Sequence, residues 1–371
     1  MGNEIIYTDK NGKSYGINEI IKGECIEVLK GIKDESVDVI FADPPYFMQS
    51  TDKALQRADG TGEFRGCDDE WDKFKDYDEY DTFCKKWLTE CKRILKKDGT
   101  IWVIGSFQNI YRIGYLMQNL GFWILNDIVW SKTNPTPNMS GSRFCNAHET
   151  LLWCSKSKKS KFTFNYKTMK YLNGNKQDKS VWSLNICQGG ERLRNDDGEK
   201  LHTTQKPEAL LKKVILSSSK VGDIILDPFF GTGTTGAVAK RYGRNFVGIK
   251  RDDKYIKGAT IRISNTKDES DEISNLTLEV KPPKVPMNKL IELGLLKVGE
   301  ALYDKDGNIQ CHVCEDGAVC NSTSTASIHK MAAKILNKSN CNGWNFFYIK
   351  RNEKLECLDT LRYEAINHNL L

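Results

Sequence analysis

The sequence predicts a doubly wound α/β domain followed by a small α+β module, and three observations carry that prediction. The run Val37-Asp38-Val39-Ile40-Phe41-Ala42 is apolar, rich in β-branched residues and cut off by Pro44-Pro45, which reads as a buried strand of a parallel sheet. A second strand-like run, Asp223-Ile224-Ile225-Leu226-Asp227, leads through Gly231-Thr232-Gly233-Thr234-Thr235-Gly236 into Ala237-Val238-Ala239-Lys240. That is G-x-G-x-x-G in the strand–turn–helix setting that places a nucleoside cofactor over a helix N-terminus. Between the two, apolar strands alternate with segments of helical period, the βαβα order of a sheet covered on both faces.

Composition sets the outer limits. A chain of 371 residues, 39 % apolar and 28 % charged, is globular and has room for more than one unit. No apolar run is long enough to span a membrane, and the first residues lack the apolar core of a signal peptide. The net charge of +6 has the sign expected for a polyanionic partner. The 12 cysteines are scattered without a disulfide framework, so reduced thiols in a cytoplasm are expected. Cys311 and Cys314 form one C-x-x-C, but with Cys320 and Cys341 the spacing fits no standard zinc site, and no metal is expected.

Taken in order, residues 1–20 are polar and read as an edge extension, and an amphipathic helix pattern around Glu27-Val28-Leu29 leads to the first strand. The prolines after it fix φ and remove backbone donors, so the strand stops in a stiff, extended turn. Asp43 and Tyr46 are thereby left at the carboxyl edge of the sheet, where open α/β folds bind ligands. Residues 47–80 form a long, charged, glycine-punctuated stretch ending near Asp68-Asp69-Glu70-Trp71-Asp72, a length that suits a lid over that edge. Phe83, Trp87, Leu88, Cys91, Ile94 and Leu95 recur at helical spacing. Strands at 100–105 and 123–130 flank a helix at 110–119.

Residues 131–200 change character. Asn134-Pro135-Thr136-Pro137-Asn138 is extended, and Arg143, His148 and Glu149 follow it. Lysines 156, 158, 159 and 161 precede Phe162, Phe164 and Tyr166, which are interleaved with Lys167 and Lys170. Basic residues among aromatics suit phosphate contact with base stacking, and a solvated lysine face is the plain alternative. His202-Thr203-Thr204-Gln205-Lys206-Pro207 opens a helix, and a strand at 245–249 follows the glycine turn. Residues 267–280 read as a linker. The module beyond them has strand-like runs at 300–303, 309–313 and 346–349, and a helix around 328–336.

The chemistry available at Asp43-Pro44-Pro45-Tyr46 follows from its atoms. An exocyclic amine on a nucleobase is a poor nucleophile because its lone pair is delocalised into the ring. The Asp43 carboxylate and the Pro44 carbonyl can each accept one of its N–H bonds, while Pro45 brings no competing N–H and Tyr46 stacks on the base. A base inside a duplex has to be flipped out to arrive there. A purely structural turn is the plain alternative, since Asp-Pro is a common turn starter.

Together these stretches resemble the S-adenosylmethionine-dependent amino-methyltransferases of DNA, in the β-type order that puts the amine-binding half before the cofactor half. The closest resemblance is to the GANTC-modifying adenine-N6 group, HinfI-like and CcrM-like, and it covers nearly the whole chain. It rests on Val39–Tyr46, Asn134-Pro135 with Pro137-Asn138, Asn146-Ala147-His148-Glu149-Thr150, Gln205-Lys206-Pro207 and Asp227–Gly236. It implies a circularly permuted Rossmann-like methyltransferase sheet over residues 1–266, with 133–200 as target-recognition region. The linker then spans 267–280, and 281–371 is a module that helps grip DNA.

The resemblance also implies roles. Asp43, Pro44, Pro45 and Tyr46 form the catalytic set. Asp227, Phe229, Gly231 and Gly233 shape the cofactor side, with Thr234 and Lys206 approaching the cofactor carboxylate. Asn134, Asn138, Arg143, His148 and Glu149 are expected DNA contacts; Trp71, like Trp87, Trp102 and Trp130, reads first as core, with DNA contact from the lid as its alternative. Methyl transfer is then an in-line displacement driven by positioning, with no metal and no covalent enzyme intermediate. Two cofactor-side positions depart from the family pattern. Glu24 stands where an Asp is usual beside the cofactor's adenine ring, and Lys250 where an acid usually holds the ribose hydroxyls. A lysine donates but cannot accept from both hydroxyls, so weakened cofactor binding is expected unless Asp252 or Asp253 substitutes.

Double-stranded DNA is the expected partner, with a second copy of the chain and a restriction endonuclease reading the same site as further candidates. Three rival readings stand beside this one. A DNA-binding protein that no longer turns over has Lys250 as its motive. A cytosine-N4 methyltransferase usually has Ser where Asp43 stands. A nicotinamide dehydrogenase leaves Asp43–Tyr46 and the basic region unexplained.

Overall fold

In the computed structural model the apolar runs become strands, and alternate residues along each strand go to opposite faces of the sheet. The structure describes residues 5–48, 55–56, 63–64, 72–138, 141–195, 198, 200–202, 204–269, 284–351 and 354–367. Most of the expected lid, Trp71 included, and most of the expected linker lie outside the described residues. Contacts divide the chain into two units, Met1–Glu279 and Val280–Leu371.

The first unit begins with a hairpin, β1 (Ile5–Thr8) and β2 (Ser14–Gly16), and continues with β3 (Glu19–Lys22), α1 (Cys25–Gly31) and β4 (Val37–Ala42). A short pair, β5 (Leu55–Gln56) and β6 (Glu63–Phe64), precedes α2 (Tyr77–Ile94), β7 (Leu95–Gly105), α3 (Ile110–Asn119) and β8 (Trp123–Lys132). Then come β9 (His148–Ser155), α4 (Tyr166–Leu172), β10 (Val181–Leu184), α5 (Glu208–Ser218), β11 (Ile224–Asp227), α6 (Thr234–Arg241), β12 (Asn245–Lys250) and α7 (Asp253–Asn265). Eight strands form one sheet in the order β10-β8-β9-β7-β4-β11-β12-β3.

The sheet is mixed, not wholly parallel. β9 runs antiparallel to both β7 and β8. The reason is the connection: residues 133–147 return the chain without a crossover helix, which only an antiparallel neighbour permits. The aromatic–basic stretch follows β9. It turns into α4, tied down where Asn165 Nδ2 donates to the carbonyls of Leu216 and Ser219, each at 2.7 Å.

Alternation along β4 splits the core. Ile40 faces Val28 and Leu29 of α1 and Trp87 and Leu88 of α2. Val39 and Phe41 face α5 and α6 on the other side. There Trp102 stacks on Trp153, ring centres 5.0 Å apart and planes within 9°. Each large side chain buried this fully contributes roughly 1.5–3 kcal/mol. The third glycine of the turn, Gly236, and Gly248 of β12 flank Phe230, whose ring would lie 2.6 Å and 2.5 Å from a Cβ at those positions.

The second unit is α+β, as expected. Its strands are β13 (Ala301–Tyr303), β14 (Ile309–Val313), β15 (Val319–Cys320), β16 (Thr325–Ala326), β17 (Tyr348–Arg351) and β18 (Lys354–Cys357). They pair antiparallel in the order β16-β15-β14-β13-β17-β18. Helices α8 (Met287–Glu292), α9 (Ile328–Ile335), α10 (Gly343–Phe346) and α11 (Thr360–Asn367) complete it around Leu302, Val319, Met331, Phe347 and Leu361.

Candidate active site

Because β4 and β11 are neighbours, the loops that leave their carboxyl ends open on the same edge of the sheet. Between these loops lies a cavity of about 490 Å³, lined by Asp43–Tyr46 on one side and Asp227–Thr232 on the other. That volume lies in the range of small-molecule sites.

On the β4 side, charge is concentrated. Asp43 Oδ2 accepts from Lys206 Nζ at 2.8 Å. Tyr46 Oη lies 3.0 Å from Asp43 Oδ1 and 3.0 Å from Glu149 Oε2, and its one proton serves one of them at a time. Glu149 Oε1 accepts from Lys132 Nζ at 2.6 Å, and Lys206 Nζ is 3.9 Å from Glu149 Oε2. Lys206 also lies over the Tyr46 ring, 5.2 Å from its centre. Two carboxylates and two ammonium groups thus share one nearly dry cluster.

Their ionisation differs. Burial pushes the Asp43 carboxyl above its usual range, and Lys206 offsets only part of that. Burial pushes Glu149 up as well, but Lys206 and Lys132 together overcome it and hold Glu149 below the ordinary value. Burial would lower Lys206, yet Asp43 and Glu149 outweigh it and keep the ammonium charged. Asp43 is therefore the carboxyl with the greater appetite for a proton.

The backbone of this loop is held separately. Tyr80 Oη donates to the Pro45 carbonyl at 2.8 Å and accepts from Asn109 Nδ2 at 3.0 Å. The Pro45 carbonyl is thus engaged by the protein.

On the β11 side, Asp227 accepts from Thr235 Oγ1 at 2.6 Å and from the Phe229 N–H at 2.9 Å, which fixes the start of the glycine turn. Burial, only partly offset by these two bonds, pushes its carboxyl up to about 7. Gly231 and Gly233 have φ of +48° and +75°, and a Cβ on Gly233 would meet Ala259 Cβ at 2.7 Å. Thr232 lines the cavity, and among the described residues its Oγ1 is buried without a hydrogen-bond partner. Thr234 Oγ1 accepts from Arg262 at 2.9 Å, and Phe229 packs edge-on against Trp87 at 5.3 Å.

Glu24 caps α1 by accepting from the Ile26 N–H at 2.9 Å and reaches the cavity. Lys250, at the end of β12, lines the cavity with its ammonium 4.3 Å from the centre of the Tyr255 ring. Asp252 lines it too, whereas Asp253 pairs with Lys22. His202 lies against Tyr255 with ring centres 5.1 Å apart. Its own burial, with Lys250 and Lys206 nearby, holds it down at about 3, so it is neutral at physiological pH.

The residues expected to touch DNA separate. His148 is exposed at the cavity mouth, and Arg143 is exposed with its guanidinium 5.7 Å from the centre of the Phe107 ring. Asn138 lies in the loop between β8 and β9. Asn134 braces that loop, accepting from the Ile186 N–H at 2.9 Å and donating to Gln188 Oε1 at 2.7 Å. Glu149 is not at the surface; it belongs to the Asp43 cluster. Lys206, expected at a cofactor carboxylate, lines the cavity and donates to Asp43. Sequence reading missed Lys132, His202, Tyr255, Tyr80 and Asp72. Of these only Asp72, at the end of an acidic run, gave any local signal.

The comparisons with known proteins agree with one another. The family model described as DNA methylase matches residues 37–261. Over 351 residues the chain is 63 % identical to Type II methyltransferase M.HinfI of Haemophilus influenzae, covering 95 % of this chain and 97 % of that protein. The chain belongs to the DNA methylase family. A second model, Restriction Enzyme Adenine Methylase Associated, matches residues 267–368 of this DNA methylase. Type II methyltransferase M2.DpnII of Streptococcus pneumoniae is 42 % identical over 245 residues, 66 % of this chain and 88 % of that one. Among solved structures, PvuII DNA methyltransferase (cytosine-N4-specific) shares the fold, with a TM-score of 0.52 at 20 % identity over 74 % of this chain and 94 % of that one. The methyltransferase-type α/β sheet expected from the sequence is thus present, in mixed form, and the dehydrogenase reading falls.

Proposed function

We propose that this DNA methylase transfers a methyl group from S-adenosylmethionine to adenine N6 in double-stranded DNA, at GANTC. The observation that carries the reading is the single cavity shared by Asp43, backed by Lys206 and Tyr46, and the Gly231–Gly233 turn. A carboxylate before Pro-Pro-Tyr favours the adenine amine over the cytosine one. GANTC follows from the group that the motifs resemble. Residues 133–200 are assigned to target recognition and 281–371 to gripping the duplex. A restriction endonuclease of the same site and a second copy of the chain are proposed partners, and the cytoplasm the proposed location.

The residues fit the cofactor. Gly231, without a Cβ, would let the backbone of the turn approach a ligand in the cavity, and the Thr232 hydroxyl beside it has no partner among the described residues. Glu24 and Asp252 supply acceptors at the far end. When bound, S-adenosylmethionine supplies a methyl group on a positively charged sulfur. The rest is done by the chain: Asp43 and the Pro44 carbonyl each accept one N6–H, which draws the amine out of conjugation. The Asp43 carboxylate would also stabilise the positive charge that grows on the nitrogen as it takes up the methyl group. Asp43 then stands ready to take the proton that the nitrogen sheds.

Labelled methyl donor and unmethylated duplex DNA test this, with the modified bases mapped. Label on the adenine of GANTC, abolished by Asp43→Ala, is expected. Label on cytosine, or specific DNA binding without label, would favour the rival readings.

A further inference from the structure

Asp72 is remote in sequence from the Pro-Pro-Tyr turn but bonded to it three times. Its Oδ1 accepts from the backbone N–H of Tyr46 at 2.6 Å and of Phe47 at 2.7 Å, and its Oδ2 from that of Met48 at 2.9 Å. Three successive N–H groups closing on one anion form a nest, a shape the backbone keeps only while the anion is there to hold it. The middle residue, Phe47, has φ +52°, the left-handed region that a bulky side chain adopts under constraint. Its ring is buried, stacked on Tyr80 at 5.7 Å and edge-on to Phe74 at 5.6 Å. Asp72 itself is only 6 % exposed.

We propose that Asp72 is a positioning residue for methyl transfer, an inference that rests on the function proposed above. Asp72 lines the cavity, but both of its carboxylate oxygens are engaged by the backbone of the loop, so its part is to hold that loop. It holds the chain just past Tyr46 in its left-handed turn, so that the Tyr46 hydroxyl stays between Asp43 and Glu149. Tyr80 grips the Pro45 carbonyl from the opposite side. Without the anion, Phe47 relaxes to negative φ and the chain direction after Tyr46 changes. A shift of about 1 Å in such a loop costs on the order of 100-fold in rate. Although Asp72 lines the cavity, the glycine turn hangs on β11 and α6 with its own anchors at Asp227 and Thr235, so loss of Asp72 is expected to fall on transfer far more than on donor affinity.

An amide replaces one acceptor by a donor. Asp72→Asn can serve Tyr46 and Phe47 but turns its NH2 toward the Met48 N–H, whereas Asp72→Ala serves none. The test uses the full chain, single-turnover methyl transfer to unmethylated genomic DNA, and titration calorimetry with S-adenosylmethionine. The rate is expected to fall roughly 10-fold in Asp72→Asn and roughly 100-fold in Asp72→Ala, with donor affinity within about twofold of wild type. An Asp72→Ala rate within about twofold of wild type overturns the proposal. So does loss of donor affinity and melting temperature in step with the rate, which marks a general fold defect. If Asp72→Ala does not fold, the Asp72→Asn rate and affinity decide by the same criteria. A wild type that incorporates no methyl group overturns the underlying function; an active wild type beside an equally fast variant overturns the role of Asp72 alone.

Discussion

Lys206 Nζ and Asp43 Oδ2 are 2.8 Å apart across 163 residues of chain, both all but withdrawn from water. The ammonium is what lets a buried carboxylate stay ionised and accept from an amine. Without it, burial and the neighbouring Glu149 would push Asp43 further above its usual range. Lys206→Met should therefore move the acid limb of the pH dependence of kcat/KM to higher pH and cut the rate at neutral pH at least about tenfold. An unchanged acid limb would show that the pair has no part in catalysis.

Asp227 sets a pH dependence of stability. Burial holds its carboxyl at about 7 in the fold, well above the ordinary carboxylate range, so the native state binds a proton that the unfolded state releases. Its contribution is full below about pH 4 and is lost as pH rises through about 7. Asp227→Asn keeps the shape, accepting from Phe229 and donating to a rotated Thr235 hydroxyl. Thermal melts should show the variant gaining on wild type between about pH 4 and pH 7 and levelling off above that, at ~2–4 °C per kcal/mol. A constant difference across that range would contradict the assignment.

Lys250 brings a cation to the cavity that is proposed to receive a sulfonium. Like charges in a low-dielectric site repel, and an ammonium cannot accept from ribose hydroxyls. Titration calorimetry should find tighter S-adenosylmethionine binding in Lys250→Glu than in wild type. Equal affinities would mean that Glu24 or Asp252 already serves the ribose.

Gly233 has no room for a side chain. Its φ is +75° and an added Cβ would approach Ala259 Cβ to 2.7 Å. Gly233→Ala should cost roughly 1–3 kcal/mol in urea unfolding and weaken cofactor binding, since α6 has to move away from α7. Unchanged values in both measurements would show that the turn has slack.

Much of this was legible in the sequence because it is local. The strand that stops at Pro44, the turn at Gly231–Gly233 and the helices between are written in periodicity and in residues that dictate their own backbone angles. β9 was not legible as a strand. His148-Glu149 read as part of an irregular binding segment, and only the return of the chain beside β7 makes it sheet. The partnership of Lys206 with Asp43, and of Glu149 with Lys132 and Tyr46, is a product of strand order, which no local pattern encodes. Asp72 shows the same limit: an acid in an acidic run gives no sign that its partners are three backbone N–H groups on another loop.

β4 and β11 are joined through only two residue pairs, Val39 with Ile225 and Ile40 with Leu226. A slip of one residue along that seam would slide the acceptor loop about 3.3 Å past the donor loop and turn its side chains to the wrong face. That is roughly the whole gap between reacting atoms poised for attack. The reach of the transferred carbon is thus metered first by backbone pairing, with side chains such as Asp72 trimming the loops that the seam brings together.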